Sequence, residues 1–250
     1  MNKLSVVIIT LNEEENIARC IDSVKGIADE VLVVDSFSAD KTAYIAKSKG
    51  ARVIEHAFEG HIQQKNWAKE QASFDCVLSL DADECLSDEL RRSIVEVKGK
   101  WVADGYTVNR LNFYCGQPIR TCGWYPDKKL RLWDRTKGAW AGINPHDKFA
   151  LMPGANISHL EGDILHYTYP TQQAFVAQKE KFATISAQHL KSRNILYLLT
   201  KMIFSPPFKF VRIYFFELGF TEGYTGWIIC YYQSWEVFQK YFRAIKYKFS

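Results

Sequence analysis

Strands alternating with helices over about the first 100 residues predict an α/β fold, a doubly wound and mostly parallel sheet. Short apolar, β-branched runs recur there, each followed by a stretch of helical periodicity. Polar and acidic residues stand just past the ends of these runs: Asn12-Glu13, Asp35-Ser36 and Asp81-Ala82-Asp83. Ligands of such sheets bind outside the carboxyl ends of the strands, so the three groups are expected to converge on one edge.

Leu4–Thr10 reads as a buried parallel strand. Asn12-Glu13-Glu14-Glu15 matches a capping box, and Ile17, Cys20, Ile21 and Val24 form the apolar stripe of the helix that follows. Glu30–Asp35 is a second strand and Ser36–Asp40 a turn. A helix runs from Lys41 to Lys49, where Gly50 stops it. Ala51–His56 is a third strand, Ile62–Ala72 a helix and Cys76–Leu80 a fourth strand. Ser87 caps a further helix reaching Val97.

Beyond Asp104 the pattern changes. Tyr106–Val108, Lys129–Trp133 and Ile164–Tyr169 read as short strands between Gly/Pro-rich turns, with loops suited to facing a substrate. From Thr171 the chain reads as helices, and Pro206-Pro207 is expected to break the second of them. No Gly-rich dinucleotide fingerprint follows the first strand and no phosphate-loop Gly-Lys-Ser/Thr is present, which argues against a nicotinamide dehydrogenase and a P-loop hydrolase.

Net charge is +4, unevenly spread. From Lys191 onward nine Lys/Arg stand against Glu217, Glu222 and Glu236, giving +6 and leaving −2 for the rest. A basic segment rich in Phe, Tyr, Trp and Ile suits an anionic lipid surface better than nucleic acid, for which no motif is present. The bland alternative is that these helices pack on the sheet domain or pair with a second copy. No apolar run approaches the roughly 20 residues of a spanning helix. The six cysteines form no Cys-x-x-Cys pair, and Cys20, Cys76 and Cys230 sit in apolar patterns. The start enters a strand without a signal-like apolar stretch, so the expected location is cytoplasmic.

Asp81 and Asp83 at the mouth of a buried strand are costly side by side unless a cation lies between them. Mg²⁺ or Mn²⁺ takes one or two protein carboxylates and leaves the other positions to water and phosphates, so the pair reads as a diphosphate-holding site. The competing reading is a polar turn.

Three segments together carry a resemblance: Val6-Val7-Ile8-Ile9-Thr10-Leu11-Asn12-Glu13-Glu14, Val33-Val34-Asp35-Ser36 and Leu80-Asp81-Ala82-Asp83-Glu84. In order and spacing they resemble the N-terminal half of family 2 glycosyltransferases, over Leu4–Glu96. Gly123-Trp124-Tyr125-Pro126-Asp127 and Leu130-Arg131-Leu132-Trp133 resemble a narrower branch, the lipopolysaccharide core glucosyltransferases acting on heptose. Gly219-Phe220-Thr221-Glu222-Gly223 resembles that branch's Gly-Phe-Leu-Asp-Gly stretch, departing from it at Thr221 and Glu222.

The resemblance implies a GT-A nucleotide-sugar fold. Its donor half would span 1–100, its acceptor half 101–170, and an amphipathic helical segment 171–250. It further implies a UDP-sugar donor and a divalent metal. Asp35 would accept from the uracil N3–H, a match of an acceptor-only group to an imide donor, unless it merely caps a turn. Thr10, Asn12 and Glu13 would line the nucleotide, and Asn12 also reads as a helix cap. Lys65, in Gln64-Lys65-Asn66, would face the diphosphate or simply be solvated. Asp83 is the first choice of metal ligand, Asp81 a ligand or ribose contact, and His166 a further ligand or a hydrogen-bonded strand residue. A histidine in the set suits Mn²⁺ better than Mg²⁺.

Inverting transfer needs a base for the acceptor hydroxyl. Asp147 in Pro145-His146-Asp147 is preferred, and Asp127 is the second candidate. Trp124, Tyr125 and Trp140 are candidates to stack on sugar rings, whereas Trp133 reads as core. The expected activity is transfer of a hexose, glucose by preference, to a glycolipid or lipopolysaccharide core acceptor at the inner membrane face. The alternatives are a polyprenyl-phosphate, capsule or protein acceptor, and a non-catalytic nucleotide-sugar-binding module.

Overall fold

The computed structural model describes residues 2–143 and 146–249; Pro145 of the predicted acceptor-site segment lies outside the described residues. The α/β expectation holds. In chain order the first elements are β1 (Leu4–Thr10), α1 (Ile17–Val24), β2 (Glu30–Asp35), α2 (Thr42–Ser48), β3 (Arg52–Glu55), α3 (His61–Glu70) and β4 (Cys76–Asp81). Then come β5 (Glu84–Leu86), α4 (Asp88–Gly99), β6 (Gly105–Tyr114), β7 (Gln117–Pro118) and β8 (Asp127–Asp134). The last are β9 (Gly138–Ile143), β10 (His146–Leu151), β11 (Ile157–Tyr169), α5 (Gln172–Leu190), α6 (Ile195–Val211) and α7 (Gly223–Lys246).

The main sheet runs β3-β2-β1-β4-β8-β6-β11-β5, with β7 on β6. β3, β2, β1 and β4 are parallel, as right-handed crossovers through helices require. β8 runs antiparallel to both β4 and β6, and β5 to β11, so the sheet as a whole is mixed. Alternate residues of β1 serve two cores: Leu4, Val6 and Ile8 join Ile17, Cys20 and Val24 of α1 on one face. Val7 joins Ala68 of α3, Trp133, Trp140 and Phe149 on the other. β9 and β10 form a separate two-stranded ribbon.

The chain divides into two compact units. The larger holds the residues up to Leu111 together with Asp127–His166. The smaller holds Asn112–Pro126 and the chain from Tyr167 onward. It is built on α5, α6 and α7, around Phe175, Ile213, Ile228 and Ile229. Gly226 of α7 lets a neighbouring turn come close: a Cβ there would lie 1.9 Å from the Gly219 carbonyl oxygen. In the larger unit Gly162, at φ +94, leaves room for the start of α4, where a Cβ would meet Leu90 N at 2.3 Å.

Some local expectations need correction. Asn12 does not cap α1; Asn16 is the N-cap position and makes no side-chain cap. Asn12 takes the left-handed conformation, φ 54, which asparagine tolerates. Its amide N–H donates to Ser38 Oγ at 2.8 Å and its Oδ1 accepts from Ala39 N at 2.8 Å, tying the loop after β1 to the loop after β2. Pro206 and Pro207 do not break α6, which continues to Val211 and then widens into a π-helical turn over Arg212–Phe216. The N–H groups they lack would have bonded the carbonyls of Met202 and Ile203. Ile203 and Pro207 are exposed and Met202 and Pro206 half-buried, so the loss at Ile203 falls on a face that water reaches. Trp140 is buried against Trp133 and Phe149, not free to stack on a sugar. Trp124 is half-buried beside Tyr169 and Phe175. Among the described residues no helix is long and apolar enough to cross a membrane.

Candidate active site

The parallel register brings the predicted residues to one edge. Thr10 is paired with Asp35 across β1 and β2, and Ile9 with Asp81 across β1 and β4. Three strand ends therefore finish level, and the loops after them carry Asn12, Glu13, Ser36, Ser38 and Asp83. Thr10 Oγ1 is buried with no hydrogen-bond partner among the described residues, an unmet group at the strand mouth. Asp35 is buried, and both its oxygens accept from Ser38, Oδ2 from the amide at 2.8 Å and Oδ1 from the hydroxyl at 2.5 Å. Gln64 of α3 donates to Ser36 Oγ at 3.0 Å and contacts His56 Nδ1 at 2.7 Å, holding the same loop from behind.

β5 turns back antiparallel to β11, with Glu84 opposite His166. This register sets the imidazole beside the preceding acid, with His166 Nε2 and Asp83 Oδ2 3.1 Å apart. Glu13 is nearby in electrostatic terms. Burial raises its pKa, and the charges of Asp83, Asp40 and Asp81 raise it further, against a hydrogen bond from Asn16. Neither Glu13 nor Asp40 has a lysine or arginine within ion-pair distance among the described residues, whereas Asp81 has two. Burial pushes the Asp81 carboxyl up, but Lys65 and Arg131 hold it well below the usual carboxylate range.

Asp81 belongs to a chain of alternating charges. Lys65 Nζ lies 2.9 Å from Asp147 Oδ2 and 3.0 Å from Asp81 Oδ1. Arg131 lies 3.1 Å from Asp81 Oδ2 and 2.7 Å from Glu84 Oε1. Arg110 continues it, 3.5 Å from Glu84 and 2.7 Å from Asp127, and Lys129 closes it 2.9 Å from Asp127. Both base candidates thus sit at opposite ends of one network. Lys65 is buried, with its ammonium 4.5 Å from the centre of the Trp140 ring, so it is not a solvated surface lysine.

The donor set at Asp83 and His166 fits a divalent cation: one carboxylate and one imidazole next to an acidic surplus, with further positions left for water and phosphate oxygens. Among the described residues no three metal-ligating side chains converge. Asp81 fits a direct ligand less well, since Lys65 and Arg131 engage both its oxygens.

Residues 5–149 match the family model described as glycosyl transferase family 2. The chain belongs to glycosyl transferase family 2. An uncharacterized glycosyltransferase of Rickettsia typhi is 33% identical over 242 residues, covering 91% of this chain and 82% of that protein. The lipopolysaccharide core biosynthesis glycosyltransferase LpsC of Rhizobium meliloti is 29% identical over 254 residues, covering 95% and 93%. Among solved structures, S. aureus TarS 1-349 is similar with a TM-score of 0.46 at 17% identity. The match covers 72% of this chain and 64% of TarS 1-349, so the chain spans less than two thirds of that structure.

Family membership makes the protein a glycosyltransferase. Reading the sequence alone missed Arg131, Glu84 and Arg110. Arg131 and Glu84 are almost fully buried, and each satisfies a partner far away in sequence. The available signal was an arginine between Leu130 and Leu132 in a strand, which needs an acid to be buried there.

Proposed function

We propose that the protein transfers a hexose, glucose by preference, from a UDP-sugar to a glycolipid acceptor of the lipopolysaccharide core, with inversion and with Mg²⁺ or Mn²⁺ bound. The observation that carries this reading is the Asp83–His166 pair at the level strand ends, beside Glu13 and Asp40. LpsC, similar over nearly its whole length, supports the acceptor class.

Asp35 uses two of about four lone-pair positions on Ser38, which leaves it able to accept from the uracil N3–H. Thr10, Asn12 and Glu13 line the nucleotide, and the Thr10 hydroxyl gains the partner it lacks. Asp83 and His166 would hold the metal, which as a Lewis acid would supply neutralisation of the leaving diphosphate. Lys65 serves the donor site by fixing Asp81 and Asp147, not by offering a free charge. Asp147 takes the acceptor hydroxyl proton as that oxygen bonds to the anomeric carbon and the bond to the diphosphate breaks. Asp147 is preferred to Asp127 because it has one cationic partner, shared with Asp81. Burial raises the Asp127 pKa, but Arg110 and Lys129 hold it below the ordinary value, which makes it a weaker base.

We also place the protein peripherally at the inner face of the cell membrane. α6 and the turns after it expose Leu196, Phe204, Phe208 and Phe216, each at least two-thirds exposed. On α7, Tyr224, Trp227, Tyr231 and Trp235 stack in succession with ring centroids 6.4, 5.4 and 6.4 Å apart. An interfacial surface has this aromatic and basic make-up.

Thermal unfolding with a panel of nucleotide-sugars, with and without Mn²⁺, tests the donor site on wild type and Asp83→Ala. A donor at about 100 times its dissociation constant adds roughly 2.7 kcal/mol. The expected result is a Mn²⁺-dependent rise with one UDP-sugar, absent in the variant, whose transfer rate falls about 10³-fold. No response to any nucleotide-sugar would sink the reading.

A further inference from the structure

The helical unit contains a cavity of about 390 Å³ whose lining includes Phe208, Lys209, Arg212, Glu217, Lys240 and Tyr241. Three of these are cations, and they are not equivalent. Arg212 Nε donates to Glu217 Oε1 at 2.8 Å, so that charge is matched. Lys209 and Lys240 have no carboxylate within ion-pair distance among the described residues. Glu236 is the acid nearest them in effect, and it is engaged by Lys179 at 3.3 Å. Burial lowers the pKa of both lysines, and Lys179 and Lys240 lower that of Lys209 further, against the attraction of Glu236. Two half-buried ammonium groups therefore share one cavity with no ion-pair partner of their own among the described residues.

One lining residue joins the cavity to an exposed apolar face. Phe208 is 71% exposed and belongs to the outward face of α6 that also presents Ile203, Phe204 and Val211. An inorganic anion alone would satisfy the lysines and leave that face in water. An anion carried on hydrocarbon satisfies both.

We propose that this cavity binds the phosphate of an anionic phospholipid, with Lys209 and Lys240 on the phosphate oxygens and Phe208 against the acyl chain. The inference rests on the peripheral-membrane reading above, and adds to it a specific headgroup site.

The test is co-sedimentation of the full chain with phosphatidylcholine vesicles, with and without phosphatidylglycerol. Lys209→Gln with Lys240→Gln is compared with Lys191→Gln with Lys248→Gln, which removes equal charge at exposed positions. Generic attraction contributes about fivefold per surface lysine, so it weakens both variants alike. The cavity variant is expected to lose at least tenfold more affinity for phosphatidylglycerol vesicles than the control, while Lys209→Arg with Lys240→Arg retains binding. Equal losses in the two glutamine variants would overturn the proposal. So would equal wild-type binding to phosphatidylcholine alone. If inorganic phosphate protects wild type but not the cavity variant from heat while both bind vesicles equally, the site is one for free phosphate and the lipid assignment fails. Donor hydrolysis without vesicles separates the two readings: the cavity variant keeps it, and Asp83→Ala loses it while still binding vesicles.

Discussion

The two units dispose of charge and apolar surface in opposite ways. Among the described residues the larger unit leaves eight large hydrophobic side chains exposed, and the smaller leaves nineteen. The larger unit instead carries one buried or half-buried chain of seven charges, from Asp147 through Lys65, Asp81, Arg131, Glu84 and Arg110 to Asp127. The smaller unit has cations facing a cavity and aromatics facing outward. A site that must hold a charged donor needs its acids fixed against each other. The apolar phase proposed to meet the smaller unit would require no such network, and would account for exposure that an ordinary soluble surface avoids.

The contrast is tested most strongly at the ends of the charge chain. Asp147→Asn is expected to reduce turnover about 10²–10⁴-fold while donor binding, measured by thermal shift, stays near wild type. Asp127→Asn should cost far less. The reverse ranking in a steady-state transfer assay would move the base to the other end of the network.

Next in size is the interior of that chain. Arg131 is 3% exposed and satisfies Asp81 and Glu84 together. Arg131→Met keeps much of the volume but strands two acids, and should destabilise the protein by about 3–5 kcal/mol in urea unfolding. A loss under about 1 kcal/mol would mean the network is solvated, and the distinction between the units would weaken.

A pair of tryptophans makes the same comparison in apolar terms. Trp133 is fully buried and stacks on Phe149 at 3.9 Å, whereas Trp227 is 44% exposed. Trp133→Ala should cost about 3–5 kcal/mol. Trp227→Ala should fall within about 0.5 kcal/mol in urea unfolding, yet weaken vesicle binding. A large folding cost at Trp227 would mean that α7's outer face is structural, against the membrane reading.

How far this could be read from the sequence differs between the regions for a physical reason. β1 to β4 and their helices follow local periodicity, so Leu4–Thr10, Glu30–Asp35 and Cys76–Leu80 were legible residue by residue. The level strand ends followed from them. β5 and the β9–β10 ribbon were not expected, because Glu84–Leu86, Gly138–Ile143 and His146–Leu151 are defined by pairing partners and not by alternation. Asn12 shows the same limit on a smaller scale: Asn-Glu-Glu-Glu is a good capping sequence, and only the loop at Ser38 and Ala39 diverts it. Of the site, the acids themselves were visible. The cations that set their charge, Arg131 and Arg110, come from strands about 50 and 26 residues further on in sequence than Asp81 and Glu84.

The smallest effect expected is in the cavity lysines, where pH sharpens the comparison. Burial costs Lys209 and Lys240 their ease of protonation, so their folded pKa values lie below the ordinary lysine value of about 10.4. Below the folded values both states are charged and the penalty on folding is full. Between the folded and the ordinary value the unfolded chain binds more protons, so stability rises with pH, and above it the penalty is gone. Lys209→Gln with Lys240→Gln should therefore raise Tm near pH 7 by at most about 2–4 °C. That gain should shrink as the pH approaches the ordinary lysine value. Asp81 behaves oppositely: its lowered pKa supplies stability that is present above the ordinary carboxylate value and lost as the pH falls through the folded one. Melting curves of wild type and the double variant across pH read both arms. A gain that does not change with pH would mean that buried charge is not what distinguishes the cavity, and the smaller unit would then differ from the larger only in its outward apolar face.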